Sequence, residues 1–412
     1  MRVSKMIRFF GFCVFVLGSA QLLTSCTQAA GDIPADPEVT QVDISTEGIA
    51  GEPHLTTTSG GMVLASWVER RDDVAFLVFS SLEDGTWTEK KTITSGDNWF
   101  INWADVPSIA VSDSGTLMAH WLERLGDGRY AYGAKYSVSN DDGATWSSEE
   151  WLHADRSETE HGFVSIAPAD GGFMTTWLDG NRYGRGLNEM SLHARWVSDS
   201  GELGAEVALD SRTCDCCPVS ITRTGSNEFA VFYRDRTESE IRDIAVARFK
   251  DGSWSESESL NEDGWMIDAC PVNGPASDNL LGTLGVGWFT MAGGTPTVNV
   301  AFSADQGDSF SDPVSIGLGN PGGRVALRMR NADELVIAWM EGASKDDAGI
   351  ESGIFVRTVT RAGVLGNPIR LTNSSTSRAA GYPRLERTQE GMMALWTKPG
   401  EPATLQSALI NW

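Results

Sequence analysis

The chain has 412 residues, 41% of them hydrophobic and 21% charged, with 44 Gly and 15 Pro. That is ordinary globular composition, and it excludes collagen-like, low-complexity and wholly disordered chains. Acidic residues outnumber basic ones 56 to 32, for a net charge of −24, and no basic run interrupts the excess. Nucleic acid is therefore excluded as the main partner, because displacing its counterions needs a basic face.

At the N-terminus Arg2, Lys5 and Arg8 precede an apolar run, Phe9 to Leu17, followed by Leu22-Leu23-Thr24-Ser25-Cys26. A charged start, a short apolar stretch and small residues before a cut describe an export signal, and the run is too short to span a membrane comfortably. Leu23-Thr24-Ser25-Cys26 resembles the bacterial lipobox, whose Cys is acylated and becomes the first mature residue. An ordinary cleaved signal with an incidental Cys is the plainer alternative. The resemblance implies a signal peptide over residues 1–25, lipidation at Cys26 and a tether over residues 26–36, leaving 37–412 as the folded domain. Thr27 rather than Asp follows the Cys, which in this class implies outer-membrane sorting. The expected location is thus exported and lipid-anchored, facing the periplasm or the cell surface, with the membrane as partner through the anchor and the chain a monomer.

Beyond the tether a short apolar strand ending in an aromatic recurs, usually with an acid two residues later. The copies centre on Trp67, Trp121, Trp177, Tyr233, Trp288, Trp339 and Trp396, at spacings of 54, 56, 56, 55, 51 and 57. An alternating strand precedes most of them, and Pro53, Pro107, Pro218, Pro271 and Pro383 open five, a position where proline removes no ladder N–H. A third and a fourth strand follow each aromatic. Four antiparallel strands in about 55 residues is the blade of a β-propeller. The last copy has three strands, Tyr382–Arg387, Met392–Trp396 and Ala403–Ile410, and Glu38–Thr46 can supply the fourth, closing the ring and removing two open edges. The expectation is an all-β, seven-bladed propeller, with six blades as the alternative. The Trp residues read as core between blades, and Glu69, Glu123, Asp179, Asp235 and Glu341 as turn residues. Trp99, Trp103 and Trp265 fall in crossovers between blades, where packing is the expected role.

Ser139 to Trp146 (SNDDGATW) and Ser303 to Phe310 (SADQGDSF) both fit S-x-D-x-G-x-[ST]-[WF], with shortened forms at Ser81–Trp87 and Asp251–Trp254. The Asp can accept turn N–H groups, the Gly can take positive φ, and the aromatic packs behind. This pattern resembles the Asp-box, or BNR repeat, of the sialidase superfamily over roughly residues 38–412. In that family the Asp-boxes lie away from the catalytic face, so they speak to fold rather than activity.

The resemblance also implies where a glycosidase site would lie: at the starts of the innermost strands, with an arginine clamp for a carboxylate and a Tyr nucleophile activated by Glu. Tyr382 stands where that Tyr is expected, and Arg324 and Arg234 where clamp arginines are. The first-blade motif, Arg-Ile-Pro in sialidases, is Gly51-Glu52-Pro53, and Cys217 stands where the Glu partner is expected. Losing one arginine removes a bidentate charge-assisted pair, and without its base the Tyr stays protonated. The expected function is therefore a non-glycosidic binding or interaction module, and an exo-sialidase or related glycoside hydrolase with a remodelled site is the alternative.

Four cysteines remain: Cys214, Cys216 and Cys217 in Thr213–Ser220 (TCDCCPVS), and Cys270 in Ala269–Asn273 (ACPVN). Cys217-Pro218-Val219 and Cys270-Pro271-Val272 read as the same place in consecutive blades, 53 residues apart, so all four thiols are expected on one rim of the channel. Glu52, Asp105, His161, Arg324 and Tyr382 are the expected neighbours, with His54 close by. Three readings stay open. An even count in an oxidising compartment suits structural disulfides, although a vicinal Cys216–Cys217 bond would be strained. Three or four thiolates, with His161, would suit Cu(I) or Zn. A redox-active disulfide is the third. No cofactor other than such a metal is expected, and the mouth is open to a glycan or protein ligand.

Overall fold

The strands that carry the repeat aromatics are buried on both faces, which is why they read as near-continuous apolar runs. Val63–Arg71, Leu117–Arg124, Gly172–Asp179, Glu228–Arg234, Thr283–Thr290, Glu334–Glu341 and Met392–Lys398 each place an aromatic at no more than 1% exposure. Each pairs antiparallel with an inner strand on one side and a third strand on the other. In this computed structural model, which describes residues 37–343 and 349–412, the result is seven sheets of four core strands. Two of the sheets carry a further short strand, Lys91–Gly96 and Glu258–Ser259, on their third strand. The signal peptide, Cys26 and the tether lie outside the described residues. Among those described, no helix is long and apolar enough to cross a membrane.

The seven inner strands are Ile49–Thr57, Ser108–Val111, His161–Ala169, Ser220–Gly225, Ala276–Leu280, Pro321–Asn331 and Arg384–Arg387. They line one central channel of about 400 Å³. Glu38–Val42 closes the ring: it pairs antiparallel with the last strand, Thr404–Asn411, from Glu38 opposite Asn411 to Val42 opposite Ser407. The closing strand is shorter than the nine residues expected, since pairing stops at Val42. Seven blades, not six, ring the axis.

The acids after the aromatics are not turn residues. Glu69, Asp179 and Glu341 are buried at the strand ends, at 0%, 0% and 1% exposure. Each carboxylate accepts the indole N–H of the Trp two residues earlier, Trp67 at 3.0 Å, Trp177 at 2.9 Å and Trp339 at 2.7 Å. Glu69 and Glu341 also accept backbone N–H groups from a neighbouring loop, Glu69 from Glu47 at 3.0 Å and Glu341 from Leu318 and Asn320 at 3.1 and 2.7 Å. A buried charge is tolerable when hydrogen bonds satisfy it, so the pair pins each loop to its blade. The Asp-boxes form as expected. Asp141 Oδ1 accepts the Thr145 N–H at 2.8 Å and Oδ2 the Thr145 hydroxyl at 2.6 Å, while Gly143 takes φ 75°. Trp146 then packs edge-on against Phe79 of the preceding blade, with centroids 6.5 Å apart.

The alignment of blades four and five needs correction. Ser220 and Ala276 occupy the same register, each opposite the residue before the repeat aromatic, Phe232 and Gly287. The equivalent of Cys217 is therefore Asn273, and Pro275, not Pro271, opens the fifth inner strand. Cys270 thus lies six residues ahead of its inner strand, against three for Cys217, in a segment with no regular structure.

The indole pins differ in a testable way. Trp339→Phe removes a buried hydrogen bond to a charged group and leaves Glu341 Oε2 with only the Leu318 N–H at 3.1 Å, so a loss of about 1–3 kcal/mol is expected. Trp396 has a buried indole N–H with no partner, so Trp396→Phe should cost clearly less. Urea unfolding midpoints of the two variants give the comparison, and equal losses would contradict the pinning role.

Candidate functional site

The inner strands do not start smoothly at the rim. Register shifts lie between Gly51 and His54, Gly162 and Ser165, and Gly323 and Ala326. Inside them Glu52, Phe163 and Arg324 adopt left-handed backbone at φ 53°, 54° and 54°. Bulges of this kind re-aim side chains, and the conformation is costly for residues other than glycine. Three blades thus use the same local device to turn a side chain at the channel mouth.

The arginines expected to clamp a substrate are occupied by the protein's own backbone. Arg234, 1% exposed, donates to the carbonyls of Asn273, Arg242 and Phe289 at 2.6–3.0 Å and lies over the Trp265 ring at 4.7 Å. Arg324 donates to the carbonyls of Thr376, Ser377 and Gly381 at 2.7–3.2 Å and lies over the Trp103 ring at 4.4 Å. Trp103 and Trp265 thus pack on the arginines, and Trp99 stacks on Trp121 with centroids 6.1 Å apart. Tyr382 stacks on Trp103 at 5.9 Å and donates its hydroxyl to the Val272 carbonyl at 2.7 Å. Burial, first, and the nearby Cys217 raise its pKa well above the usual phenol value. Its hydroxyl thus donates to a carbonyl rather than to a Glu.

The rim instead carries a proton-sharing trio. The Tyr132 hydroxyl lies 2.7 Å from Asp105 Oδ2 and 2.7 Å from Glu160 Oε1. A phenol has one hydrogen, so it can donate to one carboxylate and must accept from the other, which requires one carboxyl to be protonated. Burial pushes Asp105 up to about 7. Burial also raises Glu160, with the charges of Asp105, Asp215 and Cys270, to about 8. Glu52, on the same rim, is raised by burial to about 7. The approach depends on Gly162, where a Cβ would sit 2.1 Å from Asp105 Oδ2. Asp105 was an expected neighbour on the rim. Tyr132 and Glu160 were not, because they come from a third strand and a crossover and carry no local motif.

The four thiols come together, though not as four equivalents. Cys214 Sγ lies 3.3 Å from Cys217 Sγ and 3.9 Å from Cys216 Sγ, and all four cysteines are unbonded. Cys270 joins through Cys216, in a group with Asp215 whose candidate ligand atoms lie within 4.8 Å of one another. Arg242, a residue the sequence did not single out, lies 3.4 Å from Cys214 Sγ and 3.5 Å from Asp215 Oδ1. Hydrogen bonds from Cys216 and Cys217, then the Arg234 and Arg242 charges, hold the Cys214 thiol well below its usual range. Cys216, which bridges Cys214 and Cys270, is pushed up by those same contacts. His161 is elsewhere. It stacks on His153 at 4.3 Å, and its Nδ1 lies 3.0 Å from Asp179 Oδ2. Both rings and Asp179 are fully buried, and the other nitrogen, Nε2, lies 3.2 Å from the Thr159 hydroxyl. His54 lines the channel wall, with Nδ1 buried and unpartnered.

With this geometry in view, the family model described as BNR repeat-like domain matches residues 61–395. The chain belongs to that family. It is a BNR-repeat-like β-propeller. Among solved structures it is similar to a protein of unknown function from Dyadobacter fermentans, with a TM-score of 0.53 and 14% identity, covering 91% of this chain and 98% of that one. It is also similar to the polysaccharide lyase Uly1, with a TM-score of 0.52 and 10% identity over 88% and 89% of the two chains. The phage phi92 endosialidase gives a TM-score of 0.50 and 11% identity over 91% of this chain and 69% of that one. At such identities the likeness establishes the fold and not the chemistry. No curated protein is similar enough to count as a relative.

Two outcomes follow from the BNR propeller's rim. Glu52, Asp105 and Glu160 have folded-state values near 7, 7 and 8 against ordinary values of 4.5, 3.8 and 4.5. Between about pH 4 and 8 the native state therefore binds more protons than the unfolded one, and stability falls as pH rises through that window. Melting temperature should drop from pH 5 to pH 8.5, and Asp105→Asn should flatten the slope. A profile unchanged by that substitution would remove the trio from the account. Separately, purified protein should release no sialic acid from a fluorogenic sialoside above background. Tyr382→Phe should leave that background untouched while costing about 1 kcal/mol of stability through its lost hydrogen bond.

Proposed function

We propose that this BNR propeller is a non-glycosidic binding module, tethered at the cell envelope through Cys26, whose mouth takes up a thiophilic metal ion, Cu(I) or Zn²⁺, on its cysteines. The spacing of the sulfurs carries the reading. A tetrahedral ion with Zn–S bonds near 2.3 Å needs sulfurs about 3.8 Å apart, and Cys214 lies 3.3 and 3.9 Å from Cys217 and Cys216. An ion therefore fits with shifts of a few tenths of an ångström. The surroundings suit it as well: thiolates select soft ions, and Arg242 beside Cys214 offsets part of their charge. The glycosidic alternative lacks its parts, since both arginines are committed to carbonyls and the tyrosine has a carbonyl partner in place of a base.

A second reading, a reversible Cys214–Cys217 disulfide, is favoured by the same 3.3 Å approach and by the two-residue gap between the pair. The two readings separate on one preparation. Anaerobically reduced protein should hold Cu(I) stoichiometrically against a competing chelator, and Cys217→Ser should weaken that hold at least about tenfold. Thiol titration of denatured, unreduced protein should then find about four free sulfhydryls. Two missing thiols and no retained metal would favour the disulfide and overturn the metal reading.

A further inference from the structure

The thiol cluster is not one polyhedron. Its candidate ligands fall into two triads, Cys214–Cys216–Cys217 and Asp215–Cys216–Cys270, and in each the ligand atoms lie within 4.8 Å of one another. Cys216 is the only residue in both. We propose that the mouth holds two thiophilic ions rather than one, bridged by the Cys216 thiolate: an inner ion on Cys214, Cys216 and Cys217, and an outer ion on Asp215, Cys216 and Cys270. The proposal rests on the metal reading above and adds its stoichiometry, its ligand sets and its route of entry.

A thiolate sulfur keeps more than one lone pair after binding an ion, so it can bridge two soft cations. The charge arithmetic also favours two. Four thiolates and one carboxylate carry five negative charges, more than a single divalent ion and the two neighbouring guanidiniums, Arg234 and Arg242, can offset. Arg242 reaches both halves, at 3.4 Å from Cys214 of the inner triad and 3.5 Å from Asp215 of the outer one. Asp215 is oriented by the Tyr183 hydroxyl, which donates to Oδ2 at 3.1 Å, an outer-shell support of the kind that fixes a ligating carboxylate.

The two positions differ in access. Cys214 and Cys217 are each 1% exposed, whereas Cys216 is half-buried and Cys270 is exposed. The outer triad is thus the entrance, and an ion reaches the inner one by passing Cys216. The three-residue offset of Cys270 makes this possible. In strict register Asn273 stands at the place of Cys217, and the residues between carry Cys270 back to Cys216. Each ligating thiol gives up its proton to solvent, and no electrons move.

The test is a titration of the reduced, tether-free mature chain with Cd²⁺, read by the sulfur-to-cadmium charge-transfer band and by cadmium NMR. Saturation at two ions per chain is expected, with two resonances. Cys270→Ser, an exposed substitution whose fold can be checked by melting, should saturate at one ion and keep the inner resonance. Tyr183→Phe should weaken the outer ion about tenfold and leave the inner one unchanged. Saturation at one ion that Cys270→Ser leaves in place would overturn the second ion while the metal reading stands. Saturation at one ion that Cys270→Ser abolishes would show a single four-thiol site and overturn the bridge. Two ions unaffected by Cys270→Ser would place the second ion away from this mouth. No binding at all would defeat the metal reading itself.

Discussion

Closure of the ring is the constraint on which the rest depends. Seven twisted sheets surround one axis only if the first and last share a blade, and Glu38–Val42 against Thr404–Asn411 provides that joint. Once the ring is closed, every inner strand begins at the same end of the channel. Residues hundreds of positions apart are then neighbours, as when Arg384 donates to the Pro53 carbonyl at 2.9 Å. The indole–carboxylate pairs of Trp67 and Trp339 act at the next level, holding loops against individual blades. Neither device places chemistry. They create a rim on which local bulges at Glu52, Phe163 and Arg324 can do so.

Residue type and residue role part company at that rim. Arg234, Arg324 and Tyr382 are the kinds of side chain that could bind and cleave a sialoside. A buried guanidinium has five donors to satisfy, and here backbone carbonyls take most of them. An arginine held this way would have to break several hydrogen bonds to reach a ligand. The positive charge that remains useful is Arg242, which faces the sulfurs, and the ionisable oxygen chemistry has moved to Asp105, Tyr132 and Glu160. The mouth has the shape that the propeller fold imposes, and its reactive atoms are those of the thiol cluster and the carboxyl trio.

The carboxyl trio and the thiol cluster also touch electrostatically. Glu160 feels the charges of Asp215 and Cys270, so charge gathered on the sulfurs is opposed by protons retained on the carboxyls. An acidic chain at −24 makes this more pressing, since the surroundings offer little bulk positive charge. The rim answers with two means of neutralisation, fixed arginines beside the sulfurs and shared protons beside the carboxylates.

The sequence by itself determined the repeat, the blade count and the closing strand. These are periodic features: a spacing near 55 residues and a strand buried on both faces leave a mark at every copy, and seven copies reinforce one another. Only the tertiary structure decided the contacts. Nothing local in Tyr132 or Glu160 announces a shared proton, and nothing in Arg324 says that its partners are three carbonyls from the next crossover. The register of Cys270 was misread because the Cys-Pro-Val triplet looked like the repeat, whereas strand pairing, which sets true equivalence, is invisible without the partner strand. Cys270 nevertheless reaches Cys216, because the long crossover before the fifth inner strand can fold back across the rim, and that path is fixed by packing between blades rather than by any pattern along the chain.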